Sequence, residues 1–415
     1  MKKLTDEMLE AIIEDGFEEW KKILEANPTF AKELGYMSNL TLKTERLAEI
    51  RMGFKKDLSI SQIKRYMKPD FDPSQMKQVR IAYLTGLTDK QVAFLAKPIY
   101  NATQMSVMRE ALKYGHSLTK VKLIANPKFV LDQINEVLAG IKHKLTVKQL
   151  ETYAKEYFSD LQMEQIRLGY ENGLTEEQVK LYASREYTFA KMKEWRLAFE
   201  KGISIEDSEL FTNMHPGTIE ECVKCYLAGF TKQKLKEYLD KGMIKNQLRE
   251  IRLGFEADLS SEQVAIYAKE DFDWIKMEKI RTVLEGEMPI EYVKLIANPK
   301  LGHNEMEQII RGVRNGLTFE QIKLFATTEY DWYAMEEIRL ALENGLTDEQ
   351  ISLIANPELY HEQMRQIRLG FEHGLSMEEV KSYTHVNSPS PYMRERREKL
   401  EKNKKMAELK ALLNA

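Results

Sequence analysis

The chain has 415 residues, is 43% hydrophobic and 31% charged, and carries a formal net charge of −3; that is the balance of a soluble helical protein and excludes a disordered or membrane-embedded one. No apolar run approaches the ~20 residues that cross a bilayer, and the opening MKKLTDEMLEAIIEDGF is acidic where a secretory leader is continuously apolar, so a cytoplasmic protein with no membrane contact is expected. Two cysteines, Cys222 and Cys225, are too few for a disulfide framework and fit a reducing compartment.

Residues 1–46 predict N-terminal capping helices. Within them MLEAIIEDGFEEWKKILEANPTF is a degenerate unit, with Gly16 and Pro28 at the separation of Gly86 and Pro98, followed by an insertion. From 47 to 383 the chain repeats itself. Aligned on an arginine, the copies fall at 51, 80, 109, 138, 167, 196, 223, 252, 281, 310, 339 and 368, every step being 29 residues except 196 to 223, which is 27. A fixed period of this size predicts an all-α solenoid of about twelve two-helix repeats with atypical ends.

Each repeat reads as two helices. Four and one residues before the arginine stand large apolar residues such as Met163 and Ile166, two after it Gly or Ala, and three after it an apolar residue such as Tyr170. That spacing lines one side of a helix, and the small residue is expected to admit a neighbouring helix. Six after the arginine a glycine such as Gly173 predicts a helix C-cap, since glycine takes positive φ at no steric cost. Thr175 with Gln178 then predicts a capping box, and a short second helix buries Val179, Tyr182 and Ala183 before a stop such as Asn126-Pro127. After Tyr383 the segment 384–391, THVNSPSP, reads as a linker, and 392–415 as a separate charged helix packing Leu400, Leu409, Leu412 and Leu413 on the last repeat or, alternatively, offering its basic residues to a partner.

Candidate chemistry is sparse. The Cys222–Cys225 pair lacks the second pair that a closed zinc site needs, and both fall in the apolar and small columns of a buried helix. There is no phosphate loop, dinucleotide fingerprint, nucleophile elbow or HExxH, and the histidines are scattered. No catalytic, cofactor or metal residue is therefore assigned, and a non-enzymatic protein is expected. The arginine column lies at the flank of the buried stripe. One reading is a seam ladder in which each guanidinium bridges to a neighbouring hairpin, with Asp72, Asp273 and Asp331 as acceptors; the other is a row of guanidiniums for phosphates or an acidic partner, interrupted at Leu138, Val223 and Ile310. The seam is the favoured reading.

Candidate partner-binding residues fall in three groups. Residues 41–150 hold 20 Lys and Arg against 9 Asp and Glu, contributing Arg51, Arg80, Arg109, Lys55, Lys56, Lys64, Arg65 and Lys113. The position after the arginine is often apolar on an otherwise polar face, giving Leu168, Leu253, Leu340 and Leu369. The C-terminal helix adds Arg394, Arg396 and Arg397.

The phrase GLTEEQVKLYAS resembles the hairpins of transcription-activator-like effectors, and GLTDKQVAFLAKP is similar to repeats of mitochondrial transcription termination factors. Both resemblances imply a superhelix on double-stranded DNA, but the period here is shorter and loops such as KEDFDW are acidic, which opposes phosphate binding. The wording QIRLGFE more closely resembles tandem helical-hairpin repeat proteins of Firmicutes mobile elements or phages, a resemblance that implies a setting and no mechanism. The expected function is binding of a macromolecular partner, a protein first. The alternative is nucleic-acid binding by repeats 41–150 and the C-terminal helix. A third is inhibition of a host defence complex by the acidic 151–387 stretch.

Overall fold

The computed structural model describes residues 12–36 and 44–414, with all their side chains except those of 31, 34–36 and 411–414, and every regular element among them is a helix. The parts of the expected N-terminal cap at 1–11 and 37–43 lie outside the described residues. The chain divides into two compact units, residues 1–216 and 217–415. That division falls within the single irregular step of the repeat, where the usual short helix gives way to Ile205–Ser208 and a 3₁₀ turn at Glu209–Phe211.

Within each unit the hairpin is regular. A long helix such as Asp160–Glu171 is followed by a short one such as Glu176–Tyr182. Long helices one repeat apart pack side by side, and the short helices pack against them as a second layer. Met163, Ile166, Val179 and Tyr182 are fully buried, so the hydrophobic free energy comes from stacking rather than from any one hairpin. Both halves of the capping box form at Thr175 and Gln178, and again at Thr88, Thr146, Ser260 and Thr347. The C-cap position is left-handed whether or not it is glycine: φ is 88° at Gly173, but also 66° at Lys144 and 56° at Glu287.

The small column has a sharper purpose than admitting a helix. At Gly169 a Cβ would collide with the Tyr182 hydroxyl from the short helix of the same hairpin, and that hydroxyl donates to the Gln165 carbonyl at 3.3 Å. The same pairing recurs as Gly53 with Tyr66, Gly140 with Tyr153, Gly254 with Tyr267 and Gly370 with Tyr383. Where the later position is Leu95, Ile124 or Ile354, the earlier one is Ala82, Ala111 or Ala341. At these five positions the glycine gives a tyrosine its space and its phenol a partner, although the columns also pair Gly312 with Phe325 and Cys225 with Tyr238.

The C-terminal segment departs from expectation. Residues 384–391 are not a linker between separate bodies. Gln363 Nε2 donates to the carbonyls of Val386 at 2.9 Å and Ser388 at 2.8 Å. This is the same clamp by which Gln75 holds Pro98 and Tyr100, and Gln133 holds Phe158, across ordinary inter-hairpin loops. The helix Ser390–Asn414 then continues the array: Met393 is fully buried in the methionine column, and Arg397 stands 29 residues after Arg368.

Candidate interaction surface

The arginines run along the seams between long helices. Arg167 Nε donates to Glu136 at 2.8 Å, Arg252 to Glu221 at 2.6 Å and Arg368 to Glu337 at 2.7 Å, each partner lying 31 residues earlier. Glutamine serves equally as acceptor, as Gln165 does for Arg196 at 3.1 Å and Gln308 for Arg339 at 2.9 Å. The other edge of the guanidinium binds a glutamate one turn on, Glu171 for Arg167 at 2.9 Å and Glu372 for Arg368 at 2.7 Å. That glutamate is also reached from the preceding hairpin: Asn344 Nδ2 donates to Glu372 at 2.6 Å, and His143 Nδ1 lies 2.7 Å from Glu171. Burial alone would push the Glu171 carboxyl up, but the hydrogen bonds from His143 and Arg167 outweigh it and hold it below its ordinary value.

Several expected roles are corrected by this ladder. Arg80 and Arg109 are buried, bonded to Glu49 and Gln78, and Arg397 is buried against Gln366, so the three are engaged in the seams rather than standing free on a surface. Arg51 is three-quarters buried and pairs with Asp15 and Glu19, both at 3.2 Å. Asp72, Asp273 and Asp331 do not accept from the arginines; they are N-caps, bonding the backbone amides of Gln75, Ile275 with Lys276, and Ala334. Much of the acidic surplus of 151–387, including Glu171, Glu200, Glu285 and Glu343, is engaged in the ladder.

The rungs without arginine follow a rule that single columns hide. The acceptor column stands two residues before the arginine of its own repeat. Where the arginine position is Leu138, the acceptor position 31 residues earlier is Val107; where it is Ile310, the acceptor position is Lys279, which pairs instead with Glu307 at 3.0 Å. At these two positions the arginine is absent where no carboxylate or amide awaits it; Val223, at the irregular step, departs from the pattern, because the residue two before Arg196 is Glu194.

The remaining basic candidates are scattered in their engagement. Lys55 pairs with Glu19 at 2.6 Å and Lys64 with Glu33, while Arg65 is half-buried. Lys56 and Lys113 are exposed at the C-terminal ends of long helices, as is Lys142. In the C-terminal helix Arg394 and Arg396 are exposed, Leu400 is half-buried, Leu409 is 56% exposed, and the side chains of Leu412 and Leu413 lie outside those described. Cys222 and Cys225 are buried, and burial pushes both thiols up to about 12, so neither is a thiolate at neutral pH. Among the described residues no cluster of three or more His, Cys, Asp or Glu has metal-holding geometry, and no helix is long and apolar enough to cross a membrane.

One exposed surface that recurs from repeat to repeat is the outer face of the long helices. It is formed by positions seven and three before the arginine and one after it, spaced i, i+4, i+8 on one stripe. Leu168, Leu253, Leu340 and Leu369 lie there half-buried. The last three long helices of the second unit present Trp332, Glu336 and Leu340; His361, Arg365 and Leu369; and Ser390, Arg394 and Glu398. At one end the rings stack, Trp332 on Tyr333 at 3.5 Å between centroids and Tyr333 on His361 at 4.7 Å. Between the last two helices a groove of about 390 Å³ opens, lined by Arg365, Gln366, Leu369, Arg394 and Arg397 with Glu362 at its edge. No signal in the sequence separated Gln366 or Arg365 from ordinary solvated positions.

No protein-family model matches the chain, and no curated protein matches it.

Proposed function

We propose that the chain is a non-enzymatic helical-repeat protein that receives an extended segment of a partner protein across the outer faces of its long helices. The observation that carries this reading is the half-buried apolar position one after the arginine, occupied on successive long helices by Leu168 and Leu197 in the first unit and by Leu340 and Leu369 in the second. Packed helices stand roughly 8–10 Å apart. An extended chain rises roughly 3.3 Å per residue, so every third residue of such a segment meets the next leucine. The ladder supports the same reading by a different route, because it fixes the spacing of the rows in advance and lowers the cost of ordering on binding.

The test is to introduce Leu168→Glu with Leu197→Glu, and separately Leu340→Glu with Leu369→Glu, and to compare each variant with the parent in photo-crosslinking from residues on that face. Retained helicity with lost crosslinks to protein is the expected result. Crosslinks indifferent to all four substitutions, or none in the parent, overturn it.

The second reading, nucleic-acid binding, is favoured by one observation. Exposed Lys56, Lys113 and Lys142 lie at equivalent ends of three long helices in the first unit. It predicts retardation of a labelled duplex that weakens steeply with salt and is lost on changing these three lysines to glutamate. Absence of retardation at low salt removes it.

A further inference from the structure

The groove between the helices His361–Glu372 and Ser390–Asn414 differs from the rest of the outer face in its charge and in what its donors lack. Elsewhere this position, three before the arginine, often holds a paired glutamate, as in Glu307 with Lys279 and Arg311, Glu220 with Lys224 and Lys245, and Glu336 with Arg339, or a single cation such as Lys77, Lys193 or Arg249 with no cation at the same position of the neighbouring long helix. In the last two repeats it is arginine on both helices. Arg365 is exposed and, among the described residues, makes no hydrogen bond or ion pair; its charge is felt only at a distance by Glu337. Arg394 uses its Nε on Glu398 at 2.9 Å, which leaves its two terminal nitrogens toward solvent.

Beneath them Gln366 is 6% exposed. Its Oε1 accepts from Arg397 at 3.0 Å and its backbone carbonyl accepts from Tyr383, but its side-chain NH₂ meets no acceptor among the described residues. That NH₂ is free to donate to an occupant of the groove. The geometry therefore offers three sources of N–H donors around one opening, two of them cationic, with the side chain of Leu369 alongside.

Resting on the proposed function above, we infer that this groove is the specificity pocket of the face: it seats a carboxylate side chain, Asp or Glu, of an extended partner segment whose neighbouring aliphatic residue lies on Leu369. A carboxylate accepts from a guanidinium in two parallel hydrogen bonds and has lone pairs left for Gln366. Glu362 lines the opening and Glu398 is paired with Arg394 beside it, and the two set the occupant as a singly charged carboxylate rather than a doubly charged phosphate. The stacked His361 and Tyr333 bound the row on one side of the opening and Leu369 bounds it on the other.

The test uses the full chain and fluorescence anisotropy of labelled twelve-residue peptides of repeating Glu-Leu-Thr, Gln-Leu-Thr and phosphoserine-Leu-Thr. The glutamate peptide is expected to bind about tenfold more tightly than the glutamine peptide, the scale of one charge-assisted pairing. Arg365→Gln with Arg394→Gln should remove that preference, leaving far-UV circular dichroism and weak binding of the glutamine peptide unchanged. Equal binding of glutamate and glutamine peptides, a preference that survives the double substitution, or tightest binding by the phosphoserine peptide overturns the inference. If the two peptides bind equally but Leu369→Glu abolishes both, the leucine face stands and the carboxylate pocket falls. If neither peptide binds, both fall.

Discussion

Arg281 Nε donates to Glu250 at 2.8 Å although the two residues are 31 positions apart, and the Glu250 side chain is only 4% exposed. The contact joins one long helix to the next, so the arginine column is part of what specifies the stack. Removing one member of a buried pair strands the other charge, at a cost of about 3–5 kcal/mol, whereas replacing both by apolar residues is often neutral. The chain already contains such a replacement in Leu138 and Val107. Arg281→Leu alone should therefore lower stability by about 3 kcal/mol, and Arg281→Leu with Glu250→Val should recover most of it. Urea denaturation of the four proteins of this cycle measures the coupling. Additive losses would show that the rung is not a unit.

The period, the caps and the apolar columns were legible because each is a local rule repeated at fixed spacing. The ladder was only half legible. Its arginines stand in a column, but the facing column holds the acceptors Glu49, Gln78, Glu136 and Gln165 and the non-acceptors Val107 and Lys279, and such a mixture reads as a solvated face until each is compared with the residue 31 later. Asp72 and Asp331 looked like acceptors because they sit in loops beside the seam; the nearer claim on an aspartate there is a helix N-terminus. Arg397 was in period, yet Arg396 replaces the usual isoleucine, Lys399 the small residue and Asn403 the capping glycine. Without those marks the helix read as separate, although Met393 and Arg397 keep their places in it.

The glycine and tyrosine columns make a second exchange testable. Gly169→Ala places a methyl where the Tyr182 hydroxyl stands, and overpacking a close-packed site costs about 1–3 kcal/mol. Gly169→Ala with Tyr182→Leu copies the native combination of Ala82 with Leu95 and should restore stability relative to Gly169→Ala alone. Thermal unfolding followed at 222 nm distinguishes this from a general intolerance of Gly169→Ala, in which the second change would add a further loss.

Lys144 and Glu287 occupy left-handed C-cap positions where most repeats use glycine. Their side chains crowd the carbonyl in that conformation, a cost of roughly 1–2 kcal/mol. Lys144→Gly and Glu287→Gly should each stabilise the chain, by about 1 kcal/mol or less once the added freedom of the unfolded glycine is counted. Loss of stability in both would mean that these side chains hold contacts outweighing their backbone strain.

Removing the last helix distinguishes a continuing array from an appended tail. A chain ending at residue 389 loses Arg397, whose Nε occupies Gln366, and Met393, which is fully buried. An appended helix could be removed with little effect on the hairpin before it. A helix that completes a seam could not, because its loss bares the side of His361–Glu372 and leaves Gln366 without its donor. Truncation should therefore speed amide exchange first in 361–383, with little change in 44–113. Unchanged protection of 361–383 would show that the helix is an addition to the array rather than its last layer.

The acid limb of stability should be set partly by the same seam. Burial by itself raises the Glu401 carboxyl, but hydrogen bonds from His373 at 2.8 Å and Arg397 at 2.6 Å outweigh it, and the group is held below its ordinary value of 4.5. A carboxylate whose folded value is depressed binds its proton more readily in the unfolded chain. Its contribution is then fully present above about 4.5 and is lost as pH falls through the lower folded value. Glu401→Gln removes the charge and keeps an oxygen that accepts from arginine, as Gln366 does. The variant should be less stable than the parent at pH 7, and the difference should shrink as pH falls below 4.5. Denaturant midpoints at pH 7, 5 and 3 measure it. A difference constant across that range would assign the role of Glu401 to shape and hydrogen bonding, with its charge contributing nothing to the seam.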